Sequence, residues 1–404
     1  MRWAGAFPVF CASAQGARVT DVDGHEYVDF CLGDTGAMPG HGPPAVVAAV
    51  VEQLGRGITT MLPTEDAIWV GEELTRRFGL ARWMLTLTAT DANRAALRLA
   101  REITGRRRVL VYSYCYHGSV DEAFAVADGD GGTRSRAGNV GPAVEPASTT
   151  TAVEFNDLGA LEAALRGQEV ACVLAEPAMT NMGIVLPDEG YLEGLRALTR
   201  ETGTLLVIDE THCLSAGPGG CTAAWDLEPD LLTAGKALAG GVPVGVLGLS
   251  EATSSAMFAQ PDADYEDTGG VGGTLAGNPM SAAAMRATLQ HVLTAEAYAH
   301  TIPLAGRFAA GVEEVVARHG APWHVTQLGC RAEYAFTPEP ARNGTQAHAA
   351  ADHDLERFLH LHALNRGVLL TPFHNMALMA PPTTAADVDR HTAVFDEALS
   401  ALFR

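Results

Sequence analysis

The sequence predicts an α/β fold in which a mostly parallel sheet carries helices on both faces, next to a smaller α+β domain. Short apolar stretches typical of buried strands alternate with longer stretches that have the composition of helices. Two of the predicted strands end in carboxylates, at Glu176 and at Asp209. Because parallel strands place their carboxyl ends at one edge, where open α/β sheets bind ligands, we expect a functional site there.

The chain is expected to open with a hairpin over residues 19–30, because apolar residues alternate on both sides of an Asp-Gly turn. A helix over 44–54 follows, and then a strand over 83–87 leads into an Ala-, Leu- and Arg-rich helix over 91–101. The later predicted elements are strands at 108–112, 170–176, 205–209 and 244–249 and helices at 158–166, 191–202 and 280–293. The glycine-rich residues 128–138 are expected to form a mobile loop.

The composition is that of a large globular chain, and it disfavours a nucleic-acid or membrane partner. The 404 residues are 47% hydrophobic, and the formal charge is −21. Nucleic acids and anionic membranes select basic surfaces, which this charge does not provide. A chain of this length exceeds the size at which single cores stop growing, so we expect two domains.

The N-terminal sequence lacks a long apolar stretch with a cleavage site, which favours a cytoplasmic location. The seven cysteines are scattered, without a Cys-x-x-Cys pair, and this favours reduced thiols over disulfides or a zinc site. The 14 histidines also lack the spacing of metal ligands, and no metal is expected.

Lys236 and Asp209 carry the functional prediction. A lysine amine can form a Schiff base with an aldehyde cofactor, and a carboxylate can keep a pyridine nitrogen protonated. The chain between them is long enough for one crossover and a returning strand, so both can reach the same sheet edge. Each also has an ordinary interpretation, as a solvated lysine or a helix N-cap. Together they indicate pyridoxal 5'-phosphate (PLP) as the cofactor.

A phosphate site is predicted where the strand over 83–87 runs into Thr88-Ala89-Thr90-Asp91 and a helix. Free N–H groups and the positive helix end converge at this point, although an ordinary N-cap has the same residues. Tyr116 follows the next strand and could stack on a flat cofactor or simply pack. Thr274 lies in a glycine-rich stretch over 269–279, which either reaches a phosphate or is a flexible connection.

Taken together, these motifs resemble the class III aminotransferases, which are fold type I PLP enzymes, and in particular the branch that holds glutamate-1-semialdehyde aminomutase. The shared motifs are Thr-Ala-Thr-Asp-Ala-Asn from Thr88, Tyr-His-Gly from Tyr116, Glu-Pro-x-x-x-Asn-x-Gly from Glu176, Ile-Asp-Glu around Asp209, Gly-Lys-x-x-x-Gly-Gly-x-Pro-x-Gly around Lys236 and Gly-Gly-Thr-Leu-Ala-Gly-Asn-Pro around Thr274. The resemblance runs from Val9 to about Arg390. It implies a large PLP-binding domain over 55–285, a smaller domain built from 1–54 and 286–404, and a homodimer with shared active sites.

The resemblance also implies a role for each motif residue. Lys236 would form the Schiff base and move the substrate proton, and Asp209 would pair with the pyridine nitrogen. The remaining cofactor contacts would be Tyr116 and Thr211 on the two ring faces, Ala89 and Thr90 at the phosphate, Thr274 at the phosphate of the partner subunit, and Glu176 and His117 beside the ring.

Three departures from the family pattern bear on the reaction. Ala89-Thr90-Asp91 replaces the usual glycine, hydroxyl residue and glutamate, but phosphate binding should persist because its donors are mainly backbone groups. His212 replaces a glutamine of many members and is expected to contact the ring oxygen or to pack. Met376 stands where the aminomutases carry a substrate-reading glutamate, and their carboxylate-binding arginine would fall before the start of this chain. Both differences argue against the aminomutase reaction.

We therefore predict transamination, in a ping-pong mechanism, between an amine or amino acid and a carbonyl acceptor. The alternative is an aminomutase, racemase or decarboxylase on the same fold, and a non-catalytic binding or scaffolding relative is a third interpretation. The candidate partners of a substrate carboxylate are Arg134, Arg136, Arg331 and Arg366. The candidate pocket residues, which favour an apolar or cationic substrate side chain, are Asp34, Met38, Phe373, His374 and Met376.

Overall fold

The computed structural model describes residues 8–259 and 271–403. The first two glycines of the predicted loop over 269–279 therefore lie outside the described residues. The strands are β1 Cys11–Gln15, β2 Arg18–Asp21, β3 Glu26–Asp29, β4 Arg82–Thr86, β5 Arg108–Tyr112, β6 Ala125–Ala127, β7 Thr133–Ser135, β8 Thr150–Val153, β9 Val170–Ala175, β10 Leu205–Asp209, β11 Leu231–Ala234, β12 Gly245–Leu249, β13 His324–Leu328, β14 Arg331–Ala335, β15 Val368–Leu369 and β16 Met376–Leu378. The helices are α1 Pro44–Leu54, α2 Glu65–Phe78, α3 Ala89–Thr104, α4 Leu158–Leu165, α5 Tyr191–Thr202, α6 Gly220–Ala224, α7 Glu251–Phe258, α8 Pro279–His291, α9 Ala295–His319, α10 Gly344–Ala349, α11 His353–Leu364 and α12 Ala385–Leu402.

The central element is a seven-stranded sheet with the order β4-β12-β11-β10-β9-β5-β8. Its strands run parallel except β12, which is antiparallel to both of its neighbours. The predicted α/β fold with a mostly parallel sheet is therefore confirmed. The reversal of β12 was not predicted. Its link to β11, residues 235–244, contains a single 3-10 turn at Lys236–Ala239 and no crossover helix.

Smaller sheets join the two ends of the chain. The N-terminal hairpin of β2 and β3 pairs in parallel with β15 from the C-terminal part, and β13, β14 and β16 form a separate antiparallel sheet. The segment predicted as a loop over 128–138 instead begins in the turn of a small hairpin, β6 and β7. Asp128 closes that turn by accepting the backbone N–H groups of Asp130 and Gly132. The domain boundaries proposed from the sequence remain predictions.

Most of the core lies in two of the four hydrophobic clusters of the described residues. One contains the fully buried strand β9 and the inner face of α3, and the other joins β11 and β12 to α8, α9, α12 and the antiparallel sheet. Complete burial of a Val or Leu side chain stabilises a fold by about 1.5–3 kcal/mol, so these layers hold the sheet edge rigidly. None of the described helices is long and apolar enough to cross a membrane.

Gly245, at the start of β12, is required by close packing of the sheet against the turn before α3. A Cβ atom there would lie 2.3 Å from the carbonyl oxygen of Thr88 and 2.4 Å from Oγ1 of Thr86. We expect Gly245→Ala to lower the free energy of unfolding by about 1–3 kcal/mol, measured by chemical denaturation. Gly71→Ala is the matched control, because no atom lies within 4 Å of its added Cβ. In helix α2 that change should stabilise the protein by about 0.5–1 kcal/mol, and equal destabilisation by both variants would contradict the prediction.

Candidate active site

Lys236 and Asp209 meet at the carboxyl edge of the central sheet. Asp209 is the last residue of β10 and pairs in parallel register with Thr233 of β11, and Lys236 follows the end of β11 by two residues. Lys236 has a φ of 48°, in the left-handed region, so its position is set by the packing around it rather than by local preference. A Cβ on the preceding Gly235 would lie 2.9 Å from the Cβ of Ala89, which is why a glycine stands there.

Asp209 is buried and held in its charged form by three neighbours. Its Oδ2 accepts Nδ2–H of Asn93 at 2.8 Å and lies 2.9 Å from Nδ1 of His117, while its Oδ1 accepts the N–H of Thr211 at 3.0 Å. Burial opposes the charge, yet the bonds from His117, Thr211 and Asn93 lower the pKa of Asp209. The pKa of His117 is raised well above its usual value, because the Cys115 thiol and the Asp209 carboxylate outweigh its burial. The result is a fixed negative charge at the sheet edge.

The N-terminus of α3 forms one wall of the same cavity. Thr88 caps the helix by accepting the N–H of Asp91 at 3.2 Å, and it donates its own hydroxyl to the Asp91 carboxylate at 2.8 Å. Ala89 and Thr90, the first helical residues, line the cavity with the uncompensated N–H end of the helix. A Cβ on Gly118 would lie 1.9 Å from Oγ1 of Thr90, so only glycine lets the chain after Tyr116 approach this end.

We call this space the edge cavity; it is lined by Thr90, Tyr116, Asp209, Thr211, His212 and Lys236, among other residues. Tyr116 is 41% exposed and stands at its side, so the ring has room to cover a flat ligand. The hydroxyl of Thr211 is buried there without a hydrogen-bond partner among the described residues. An orphaned hydroxyl, a buried carboxylate and a helix N-terminus around one cavity fit a ligand that carries a phosphate and a polar ring.

Two side chains hold the amine of Lys236. Its Nζ donates to Oδ2 of Asp34 at 2.8 Å and lies 2.9 Å from Nε2 of His212. Asp34 comes from an unusual turn after β3, in which Leu32, Asp34 and Thr35 all have positive φ values of 46°, 51° and 80°. Such backbone strain in non-glycine residues collects at functional sites, where surrounding structure enforces it. The turn brings Asp34 and Thr35 to the lysine.

His212 connects the lysine to a buried arginine. Its Nδ1 lies 3.0 Å from Nη2 of Arg331 and 3.0 Å from Oγ1 of Thr35, and Arg331 Nη2 also donates to that Thr35 oxygen. Burial, and then the charges of Lys236 and Arg331, lower the pKa of His212 well below its usual value. The ring is therefore neutral near pH 7. The contact between His212 and the ring oxygen of the cofactor stays a prediction, since the described contacts of His212 are with protein groups.

Glu176 lies buried behind this cavity. Its Oε2 accepts the hydroxyl of Thr180, and its Oε1 has no partner among the described residues. Burial raises the pKa of Glu176 to about 7, against the opposing charge of His117 and the bond from Thr180. The carboxyl group is therefore close to half protonated at neutral pH and can donate or accept a hydrogen bond.

This raised pKa predicts a pH-dependent stability. A carboxyl group whose pKa is raised on folding costs no stability at pH values below its unfolded pKa, near 4.5. The cost grows as the pH rises through the folded pKa of about 7, because the folded protein must then hold a buried charge. For the cofactor-free protein, we expect Glu176→Gln to be more stable than the wild type at about pH 8, by up to about 3 kcal/mol, and the difference to vanish near pH 4.5. Urea unfolding at a series of pH values measures it. A difference that does not change with pH would contradict this origin.

A second space, which we call the side cavity, lies beyond Arg331. It is lined by Arg136, Met182, Ile184, Glu333, Phe373 and His374, with other residues. Nδ1 of His374 lies 3.0 Å from Oε1 of Glu333. Although burial opposes the charge on His374, Glu333 and then Asp34 raise its pKa. Glu333 follows Arg331 by two residues on β14, and Nη2 of Arg331 lies 3.0 Å from Nδ1 of His212, whose other ring nitrogen lies 2.9 Å from the lysine amine.

Some predicted residues lie elsewhere. Met38 and Met376, predicted as substrate contacts, belong to the hydrophobic core and line neither cavity. Arg366 bonds the surface carboxylate of Glu397 at 2.7 Å, and Arg134 is exposed on β7, so neither is placed to read a substrate. Thr274 is exposed in a separate hollow that also contains Met61 and Leu62, away from the edge cavity of its own chain. A role toward a partner subunit stays a prediction.

Several site residues were missed by the sequence analysis. The sequence analysis assigned no role to Asn93, Thr35 or Glu333. Only contacts with distant parts of the chain bring these residues to the site, and a single sequence does not show such contacts. One available signal was overlooked: Lys236 is the only lysine of the chain, and every other member of its 27 basic residues is an arginine. A lysine that persists alone in such a composition is a candidate for amine chemistry, which arginine cannot perform.

Comparisons with known proteins agree with this geometry. The model of the family "Aminotransferase class-III" matches residues 1–399. The chain belongs to the class III aminotransferases. Its curated relatives include a glutamate-1-semialdehyde 2,1-aminomutase of Chloroflexus aggregans, 33% identical over 99% of this chain and 92% of that protein. The predicted family and its aminomutase-like branch are confirmed.

Solved structures of family members share the whole fold. A glutamate-1-semialdehyde-aminomutase of Pseudomonas aeruginosa PAO1 is 51% identical, with a TM-score of 0.96 over 99% of this chain and 89% of that chain. An omega-transaminase of Sphaerobacter thermophilus is 28% identical, with a TM-score of 0.89 over 98% of this chain and 92% of that chain. A lysine-to-alanine variant of the Pseudomonas protein was solved in complex with PMP. The fold is therefore that of the fold type I PLP enzymes.

The cofactor of this family member is PLP, and the edge cavity fits it. Lys236 would hold the aldehyde carbon, Asp209 the pyridine nitrogen, and the N-terminus of α3 the phosphate. The orphaned hydroxyl of Thr211 lies in the same cavity and would gain a polar partner. When bound, PLP supplies an electron sink for the carbon next to the substrate amine.

Proposed function

We propose that this PLP enzyme is a transaminase that moves an amino group from an amine or amino acid to a carbonyl acceptor. The observation that carries the proposal is the only lysine of the chain, held in the edge cavity between Asp34 and His212. A single basic amine, kept beside a carboxylate that can receive the ammonium of a donor, is the arrangement that amino transfer needs.

Lys236, Asp209 and the N-terminus of α3 have separate roles in the proposed reaction. Lys236 would act as the general base, taking a proton from the substrate carbon next to the amine and returning it to the cofactor carbon that carries the aldehyde group. Asp209 keeps its negative charge through its bonds to Asn93, His117 and Thr211, and it thereby stabilises positive charge at the ring nitrogen. The helix N-terminus at Ala89 would hold the phosphate through its free N–H groups.

The substrate side is acidic close to the lysine. Asp34 contacts Lys236, and Glu333 is buried in the adjoining side cavity, while Nη2 of Arg331 is already engaged by Thr35 and His212. A carboxylate attached to the reacting carbon would meet Asp34. These contacts support donors whose amine is not next to a carboxylate, within the predicted range of amines, β-amino acids and α-amino acids.

The test follows the visible absorption of the PLP-loaded protein as single amines are added. A transaminase converts the cofactor to its amine form and releases one carbonyl product per site, and a keto acid or aldehyde then restores the first spectrum. If amines leave the absorption unchanged and no carbonyl product appears, the proposal is wrong.

An aminomutase reaction is the second candidate, favoured by the similarity to glutamate-1-semialdehyde aminomutases at 33% and 51% identity. Glutamate 1-semialdehyde would then be converted to the isomer whose amino group has moved from carbon 2 to carbon 1, with no added acceptor. Chromatography of that reaction separates the two proposals, because a transaminase needs a second carbonyl substrate to complete its cycle.

We also propose that the protein is a homodimer whose partner completes each site. The outer face of α1 and the hollow around Thr274 expose the apolar side chains of Val47, Val51, Leu54, Met61 and Leu62. Exposed apolar patches of this kind mark association surfaces. We expect Val51→Glu to shift the protein from dimer to monomer in sedimentation velocity and to weaken cofactor retention. An unchanged dimer would contradict this surface.

A further inference from the structure

Glu333 is a buried acid that the transfer reaction does not use. It is 6% exposed on β14, two residues after Arg331 and on the same face of the strand. Its Oε1 is paired with His374, but its Oε2 has no hydrogen-bond partner among the described residues. A buried carboxylate oxygen without a partner costs free energy, so such an oxygen in a cavity wall indicates a ligand with a donor group.

The wall around Glu333 limits what that ligand can be. Met182, Ile184, Phe336 and Phe373 make much of the side cavity apolar, which suits a chain of methylene groups. A carboxylate placed beside Glu333 would be repelled. Arg136, a cation that also lines the side cavity, already donates from Nη1 to the carbonyl oxygen of Cys115 at 3.1 Å. An amine or hydroxyl group would instead donate to the free oxygen.

We infer that the side cavity is the subsite for the far end of the amino donor, and that it selects donors with a terminal hydrogen-bond donor, an amine or hydroxyl, over those with a terminal carboxylate. The inference rests on the proposed amino transfer. Glu333 lies about 7 Å along the strand from Arg331, whose guanidinium reaches His212 beside the lysine. The substrate is thus an extended chain whose reacting amine lies at Lys236 and whose other end lies at Glu333.

The test compares hexylamine with its terminal amino, hydroxyl and carboxylate derivatives on the PLP-loaded enzyme. We expect the amino and hydroxyl derivatives to exceed hexylamine about tenfold in kcat/KM, and the carboxylate derivative to fall below it. Glu333→Gln should remove this preference, so that the kcat/KM of each derivative approaches that of hexylamine measured with the same variant. Glu356→Gln is the matched control, since Glu356 lies at the same cavity but is paired with His353 at 2.9 Å.

The outcomes separate the two proposals. If hexylamine converts the cofactor but its derivatives react no better, amino transfer stands and the subsite is overturned. If the carboxylate derivative is preferred, or if Glu333→Gln slows all four donors equally, the subsite is also overturned. If no amine reacts, calorimetric binding of the same four compounds to the loaded protein still decides the subsite, because it needs no turnover.

Discussion

Replacing Lys236 by alanine will lower kcat by about 10³-fold or more, because the variant loses both the amine that holds the cofactor and the base that moves the proton. It will also remove covalent capture. Borohydride treatment of the PLP-loaded wild type should fix one cofactor per chain, found by mass spectrometry on the peptide that contains Lys236. With no second lysine in the sequence, the alanine variant offers no other side-chain amine for this reaction.

Lys236→Arg separates the charge of the lysine from its chemistry. Arginine can keep the ion pair with Asp34, at 2.8 Å in the wild type, but it forms no Schiff base under these conditions. We expect it to be as inactive as the alanine variant and to unfold closer to the wild-type temperature. Turnover of either variant within about tenfold of the wild type would refute the assignment of the lysine.

The order of strands and carboxylates made this part of the site predictable. Asp209 ends one strand and Lys236 follows the next, and parallel pairing brings such ends to one edge. The glycine motifs carried the same information, since Gly235 and Gly118 mark places where another backbone or side chain approaches too closely for a Cβ. The local sequence was enough to predict these strand ends and glycine positions, because each of them depends on only a few neighbouring residues.

The substrate side was less predictable because it depends on contacts between distant segments. Asp34 reaches Lys236 only through a turn in which three non-glycine residues have positive φ values, and the residue composition of this segment does not predict such a turn. Glu333 and Met376 are direct partners across the antiparallel sheet, yet one lines the side cavity and the other is part of the core. Met376, a candidate pocket residue from the sequence, lies in the core and lines neither cavity, and a contact between it and the substrate stays a prediction.

The second large effect is expected at Asp209. Asp209→Asn keeps the shape of the side chain but removes the charge that faces the ring nitrogen, and we expect kcat to fall about 10²–10³-fold. His117 will lose the partner that helps to raise its pKa, so the pair that is charged in the wild type becomes neutral. Cofactor binding should persist, since Lys236 and the helix N-terminus at Ala89 are untouched, and a visible spectrum at full occupancy will show it.

Asp230→Asn is the matched control for this charge. Asp230 is also an acid of the central sheet, but it lies at the opposite end of β11, where it binds Arg196 at 2.8 and 2.9 Å and accepts the N–H of Leu206. Asp230→Asn should lower the unfolding temperature and leave kcat within about twofold of the wild type. Asp209→Asn should lower kcat and change the unfolding temperature little. If the two variants lose the same activity and the same stability, Asp209 serves the fold rather than the cofactor.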